Sequence, residues 1–169
     1  MNINNNNHKK NVISLKAPAK VNLFLEILGK RDDGFHEIET IMQEIDLADS
    51  LQFEETQEGV TLECNDKNIP ANQDNLVCKA ANLILEECGI KKGVLINLEK
   101  NIPVGAGLGG GSSDAAATLK ALNSLWGVGL NDGELIEFAA KLGSDIPFFI
   151  NGKTSLCSGR GEVISPVKV

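Results

Sequence analysis

Pro103-Val104-Gly105-Ala106-Gly107-Leu108-Gly109-Gly110-Gly111-Ser112-Ser113-Asp114-Ala115-Ala116-Ala117 is the stretch that decides the fold. Five of the seven residues from Gly105 to Gly111 are glycine. Glycine loses more backbone freedom on folding than any other residue, so such a run is wasteful in an ordinary connection. It makes sense where the chain takes unusual φ angles and passes close to a ligand. A helix is expected to open at Ser112 or Ser113 and run to about Leu125, and the free N–H groups and dipole at its start favour an anion. Before the loop, Val94, Ile96 and Leu98 alternate as in a strand. Strand, glycine loop and helix N-terminus together describe a phosphate cradle. A flexible linker fits badly, because apolar Leu108 and the alanine run are built in.

The cradle is not a Walker A loop, which needs G-K-[ST]. Gly105-x-Gly107-x-x-Gly110 matches the dinucleotide spacing, but so many glycines produce that spacing easily. The acid expected about 20 residues further on, at the end of a second strand, is missing. Trp126-Gly127-Val128-Gly129 stands there, followed by another helix.

Upstream, the chain reads mainly as strands. Val12–Ala17 and Val21–Leu28 are extended patterns interrupted at Pro18, with Val21, Leu23, Leu25 and Ile27 sharing one face. A turn at Lys30–Gly34 leads to a strand over His36–Ile45. Leu51–Glu54 and Val60–Cys64 read as a strand pair joined by a polar turn. Asp74 and Asn75 suit the start of a helix closed by Gly89, and Asn131 suits the start of Asp132–Leu142, stopped by Gly143. Phe148–Ile150 and Thr154–Cys157 read as a hairpin around Asn151-Gly152. Strands leading and helices following give an α+β layer fold.

The 169 residues are enough for one domain with a real core. A net charge of −7, with scattered acids, argues against a nucleic-acid partner, which needs clustered Lys and Arg. No apolar run reaches the roughly 20 residues of a membrane-spanning helix. Residues 1–11 read as a polar, disordered tail. Cys64, Cys78, Cys88 and Cys157 form no C-x-x-C pair and read as small hydrophobes in a reducing cytoplasm. His8 and His36 are too few for a histidine-based metal site.

Three segments together resemble the GHMP kinases, named for galactokinase, homoserine, mevalonate and phosphomevalonate kinases. The glycine segment resembles their P-x-G-x-G-L-G-[SG]-S-S loop. Its expanded form, L-G-G-G-S-S-D-A-A, resembles the branch that phosphorylates a cytidyl-linked alcohol in the non-mevalonate isoprenoid pathway. Ala17-Pro18-Ala19-Lys20-Val21-Asn22-Leu23-Phe24-Leu25, followed by Gly29–His36, resembles that branch's N-terminal signature. Leu142-Gly143-Ser144-Asp145-Ile146-Pro147-Phe148-Phe149 resembles its G-[AS]-D-[IV]-P-F motif. Phe35 departs from the pattern, standing where the family usually has Tyr. The matches run from about Ala17 to the end of the chain.

The resemblance implies a GHMP kinase N-terminal domain over residues 12–169, like the second domain of ribosomal protein S5 and with left-handed βαβ character. Family members carry a second half with a third glycine-rich motif. Nothing here corresponds to it, so weak nucleotide binding with little turnover is expected of this half alone. ATP and Mg²⁺ are the implied cofactors, and a small cytidyl alcohol is the implied partner. Pro103–Ser113 would hold ATP phosphates, with adenine contacts near Asn75, Leu76 and Lys100. Metal ligands are not assigned, although Ser112, Ser113 and Asp114 are near the expected place.

Asp145 sits in a tight Gly-Ser-Asp-Ile-Pro turn that suits a fixed carboxylate, and a helix cap or turn role suits it equally. The resemblance implies instead that Asp145 takes the proton from the attacking hydroxyl. Lys20 would ordinarily be a solvated edge lysine; the resemblance implies that it pairs with Asp145 and stabilises transition-state charge. Asn22 shares its face at period two and could orient the substrate. Phe35 and His36 would stack on and hydrogen-bond the cytosine. Two rival readings remain: another GHMP kinase acting on mevalonate-like or sugar alcohols, and a non-catalytic nucleotide- or RNA-binding module.

Overall fold

The computed structural model describes residues 11–32 and 34–167. The tail expected over residues 1–11 lies outside this range except for Asn11, whose carbonyl accepts from Glu55 N at 3.3 Å. Two long strands dominate the sheet: β1, Val12–Lys30, and β2, His36–Thr56. They pair antiparallel along their whole length, so the breaks expected at Pro18 and after Ile45 do not end them. The breaks are absorbed as register shifts. Between Pro18 and Ala19 the pairing skips Asp46 and Leu47 of β2; further along, Leu23 and then Leu28 are the unmatched residues of β1. Proline cannot donate to a ladder and is tolerated at such an irregularity.

β3, Val60–Cys64, does not pair with the end of β2 as the turn-rich sequence suggests. It runs parallel to β4, Gly93–Glu99, which inserts between them and pairs antiparallel with Ser50–Thr56. Residues 57–59 therefore cross the start of β4, and a Cβ on Gly93 would lie only 2.2 Å from the Glu58 carbonyl carbon. Glycine is what lets the chain cross there. Helix α1, Leu76–Glu87, is the β3–β4 crossover. It is capped by Asn75, whose side chain accepts from Val77 N.

Helix α2 runs Gly110–Leu125, α3 Asp132–Leu142, and the short α4 Ile146–Asn151. The expected start of α3 holds: Asn131 and Glu134 form a reciprocal capping box. The expected strand at Phe148–Ile150 is instead α4. Pro147 fits the first turn of a helix, and a short, fully buried apolar run carries no periodicity to tell strand from helix. Thr154–Gly159 forms β5, paired with Ile38–Gln43 of β2, and β6, Val163–Pro166, completes the sheet in the order β3-β4-β2-β5-β6, with β1 against β2.

The core joins Leu51, Phe53, Val94 and Ile96 of the sheet to Val77, Ile84, Leu119 and Leu122 of the helices. Each such side chain contributes about 1.5–3 kcal/mol by leaving water. The far end of the β1–β2 ribbon differs. Leu23, Phe24, Leu25, Ile27 and Leu28 are all exposed, so the apolar alternation of Val21–Ile27 does not mark a buried face. The irregularities at Leu23 and Leu28 break the period, and apolar residues stand on both faces of the ribbon.

Candidate active site

Gly105, Gly107 and Gly109 have φ of 74°, 74° and 71°, the left-handed region that favours glycine. Gly109 is the N-cap of α2, so the helix begins at Gly110, before the serines expected to open it. No side chain caps this end. Ser113 N already reaches Gly109 O at 2.9 Å, and the N–H groups of Gly110, Gly111 and Ser112 are those left without an intrahelical partner. A cavity of about 290 Å³ lies against them, walled by Asn75, Leu76, Lys100, Pro103–Gly111 and Asp114. Asn68, Ile69, Pro70 and Leu98, which sequence reasoning did not single out as site residues, complete the wall. Ser112 and Ser113 do not line it; Ser113 is buried with Oγ unpartnered. Both α1, through Asn75 and Leu76, and α2 direct their N-termini at this space, which suits a polyphosphate.

The loop is fastened to β1 by Lys20 N donating to Leu108 O at 2.9 Å. Contact is close: a Cβ on Gly109 would lie 2.9 Å from Phe149 Cζ and 3.1 Å from Lys20 Cγ. Gly109→Ala should therefore lower stability by about 1–2 kcal/mol from the backbone conformation alone, and weaken ATP binding as the loop shifts. Thermal unfolding and nucleotide titration check this; wild-type values for both would refute the strain assigned to Gly109.

Lys20 is buried rather than a solvated edge lysine. Its Nζ donates to Asn22 Oδ1 at 2.7 Å and lies 3.6 Å from Asp145 Oδ2. Asn22 Nδ2 donates to Thr40 Oγ1 at 3.0 Å, and Thr40 Oγ1 to the Phe24 carbonyl at 2.6 Å. Asp145 occupies the N-cap position of α4, yet its side chain makes no capping bond. The carboxylate faces Lys20 instead, about a third exposed, where a solute can reach it. Cys157 adjoins the pair, and burial, with Asp145 nearby, pushes its thiol up to about 11.

Lys100 is not a free contact for a base. Its buried ammonium is shared by Asp49 and by Asp114, the latter at 2.8 Å. Asp49 also accepts from Ile102 N at 2.8 Å, fixing the turn that enters the loop. Burial pushes the Asp114 carboxyl up to about 7, against the opposing pull of Lys100 and with Asp49 adding to the rise. Burial alone would depress Lys100, but Asp114 and Asp49 outweigh it and its pKa is raised. Sequence reasoning missed Asp49, which looks like any strand-end acid and lies 51 positions from Lys100.

Phe35 and His36 are exposed at the turn between β1 and β2. Arg160, in the β5–β6 turn, stacks its guanidinium 5.0 Å from the Phe35 ring centroid. The same turn reaches the carboxylate: a Cβ on Gly161 would lie 3.9 Å from Asp145 Oδ1. The Lys20–Asp145 pair thus stands between the glycine loop on one side and the turn bearing Arg160 on the other.

Residues 75–153 match the family described as GHMP kinases N terminal domain, and the parallel crossover, the glycine loop tied to β1 and the helix with an open N-terminus belong to the fold of that domain. Among curated proteins, the chain is similar to 4-diphosphocytidyl-2-C-methyl-D-erythritol kinase of Prochlorococcus marinus (strain MIT 9301), 55% identical over 153 residues, covering 90% of this chain and 49% of the relative. It is 54% identical over 158 residues to the like-named kinase of Synechococcus sp. (strain CC9902), covering 92% and 52%. A crystal structure of 4-(cytidine 5'-diphospho)-2C-methyl-D-erythritol kinase superposes with a TM-score of 0.81 at 42% identity, covering 92% of this chain and 55% of that one. The chain spans about half the length of the relatives it matches. No helix among the described residues is long and apolar enough to cross a membrane.

Proposed function

We propose that this domain belongs to a cytoplasmic enzyme that moves the γ-phosphate of ATP onto the 2-hydroxyl of 4-diphosphocytidyl-2-C-methyl-D-erythritol, releasing ADP, in the non-mevalonate route to isoprenoid precursors. The observation that carries it is the Lys20–Asp145 pair, 3.6 Å apart, with Lys20 on the strand that ties down the glycine loop and Asp145 at the start of α4. Phosphoryl transfer needs mainly positioning and charge stabilisation, with little covalent help from the protein. In this reading Asp145 accepts the hydroxyl proton as the oxygen bonds to phosphorus and the bridging oxygen leaves with ADP. Lys20, paired with that carboxylate, offsets charge on the transferring group. The N–H groups of Gly110–Ser112 hold the phosphate chain.

Mg²⁺ neutralises phosphate charge in such reactions. Among the described residues no group of three or more His, Cys, Asp or Glu side chains could hold a metal.

The cytosine would be read by Phe35 and His36, with Arg160 closing over the ring. The substitution of Phe for Tyr keeps stacking and gives up the phenol's hydrogen bond. His36→Ala should raise KM for the cytidyl substrate roughly tenfold, the value of one or two hydrogen bonds, and leave KM for ATP unchanged. An equal rise in both would remove His36 from base recognition.

The assay for the reaction itself follows ³¹P resonances of the full-length protein with ATP-Mg²⁺ and the cytidyl alcohol. A new phosphomonoester with ADP is expected. ATP binding without transfer would reduce the domain to a nucleotide-binding module, and transfer only to mevalonate or a sugar would redirect the substrate within the family.

A further inference from the structure

We propose that Thr40 is a positioning residue, which fixes the amide of Asn22 and through it the ammonium of Lys20. The inference rests on the kinase reading above for its functional consequence, and on the hydrogen-bond geometry alone for its structural part.

The direction of each bond follows from what the groups can do. The Phe24 carbonyl can only accept, so at 2.6 Å the single proton of Thr40 Oγ1 is committed to it. Towards Asn22 the hydroxyl oxygen is then an acceptor, and the end of the amide 3.0 Å away must be its NH₂. That turns Asn22 Oδ1 towards Lys20, whose ammonium can only donate, at 2.7 Å. Three side chains thus form one chain of donors leading from Lys20 to a main-chain carbonyl.

The backbone end of this chain is unusual. Leu23 is the unmatched residue between the pairs Asn22↔Met42 and Phe24↔Ile41, so the Phe24 carbonyl lies at the irregularity of β1. Such bulges re-aim side chains and recur beside active sites. Thr40 is fully buried near the start of β2, bracketed by pairing to Leu25 on one side and Cys157 on the other. Asn22, by contrast, is exposed and, among the described residues, makes side-chain hydrogen bonds only to Lys20 and Thr40. Without the hydroxyl only the ammonium holds this exposed amide, and its side chain can swing away. Lys20 then loses its Oδ1 ligand.

The test reads the ammonium and the amide directly. In ¹⁵N-labelled wild-type protein, the Lys20 NH₃⁺ group should give a slowly exchanging proton–nitrogen signal, and the Asn22 NH₂ a dispersed pair. Thr40→Val should abolish the first and move the second towards free-amide positions; Thr40→Ser should restore both. Should Thr40→Val fail to fold, Thr40→Ala removes the same hydroxyl and is read in the same way. A folded Val or Ala variant with wild-type signals for both groups overturns the proposal.

Turnover supplies an independent reading. Thr40→Val should lower kcat about 10- to 100-fold, the cost of a misplacement near 1 Å, with KM for ATP unchanged. In an Asn22→Ala background the same change should cost nothing more, because the hydroxyl acts through that amide. Losses that multiply would overturn it. If the full-length protein transfers no phosphate to an alcohol, the kinase reading fails while the spectra still decide the role of Thr40.

Discussion

Asp145→Asn should lower kcat by about 10² to 10⁴, the range over which a positioned general base acts, and leave ATP affinity nearly unchanged. Three observations set this expectation. The carboxylate makes no helix-capping bond, so its replacement removes no capping interaction. It lies 3.6 Å from Lys20 Nζ and is about a third exposed, so it is both paired with a cation and open to a substrate hydroxyl. It is not among the residues walling the cavity under the glycine loop. An amide of the same shape retains the packing of α4 but cannot take up the proton. The loss should therefore fall on kcat and on kcat/KM alike, the pattern of an interaction made only in the transition state. Steady-state kinetics with calorimetry for ATP would check it. A variant that turned over within a fewfold of wild type would take Asp145 out of the mechanism, and a parallel loss of ATP binding would point to a disturbed loop.

The largest stability effect should come from a residue outside that pair. Lys100→Met is expected to cost about 3–5 kcal/mol, the penalty for removing one partner from a buried ionic group. Lys100 neutralises Asp49 and Asp114 together, and all three side chains are nearly or fully buried. Methionine matches the length of the lysine stem and leaves packing almost intact, so the loss reports charge. Asp114 can relieve part of the strain by holding a proton, since burial already pushes it to about 7. Asp49 is pinned in place, because its Oδ1 accepts from the N–H of Asn101 and of Ile102. Denaturant unfolding would measure the change, and a loss below about 1 kcal/mol would mean that the site behaves like a surface ion pair. ATP affinity should fall as well, because Lys100 Nζ lies 3.1 Å from where a Cβ on Gly110 would be, directly under the first turn of α2.

The chemistry was more legible in the sequence than the topology. Five glycines before an alanine-rich helix led to the expectation of an anion site, and the structure sets that loop at the uncapped start of α2. Lys20 and Asn22 could be put on one face from their spacing alone, and the structure bonds them directly. The distance from Lys20 to Asp145 had no local signal; it became an expectation only through the resemblance of their two motifs, and the fold does bring them together. Strand pairing was the hardest part to read. Gly93, which lets residues 57–59 cross β4, looks like an ordinary turn glycine. The Ile146–Ile150 run is buried throughout, and a run with no polar face gives no period by which to choose helix over strand. Asp49 and Asp114 were invisible as a pair because only the folded sheet brings them to one lysine.

The free end of the β1–β2 ribbon has a bearing on how the protein behaves in concentrated solution. From Val21 to Gly29 the only charged side chain is Glu26, set among exposed Leu23, Phe24, Leu25, Ile27 and Leu28. In the described sheet, β1 is paired to β2 on one edge only. A long β-rich edge with a single gatekeeper charge is a template for edge-to-edge addition of another chain. The body of the domain, with its net negative charge, repels its copies, but that repulsion is screened beyond about 8–10 Å at ordinary salt. Colloidal stability is therefore decided at one short stretch of one strand, and crowding or added salt stresses this molecule at a place that its folding stability does not protect.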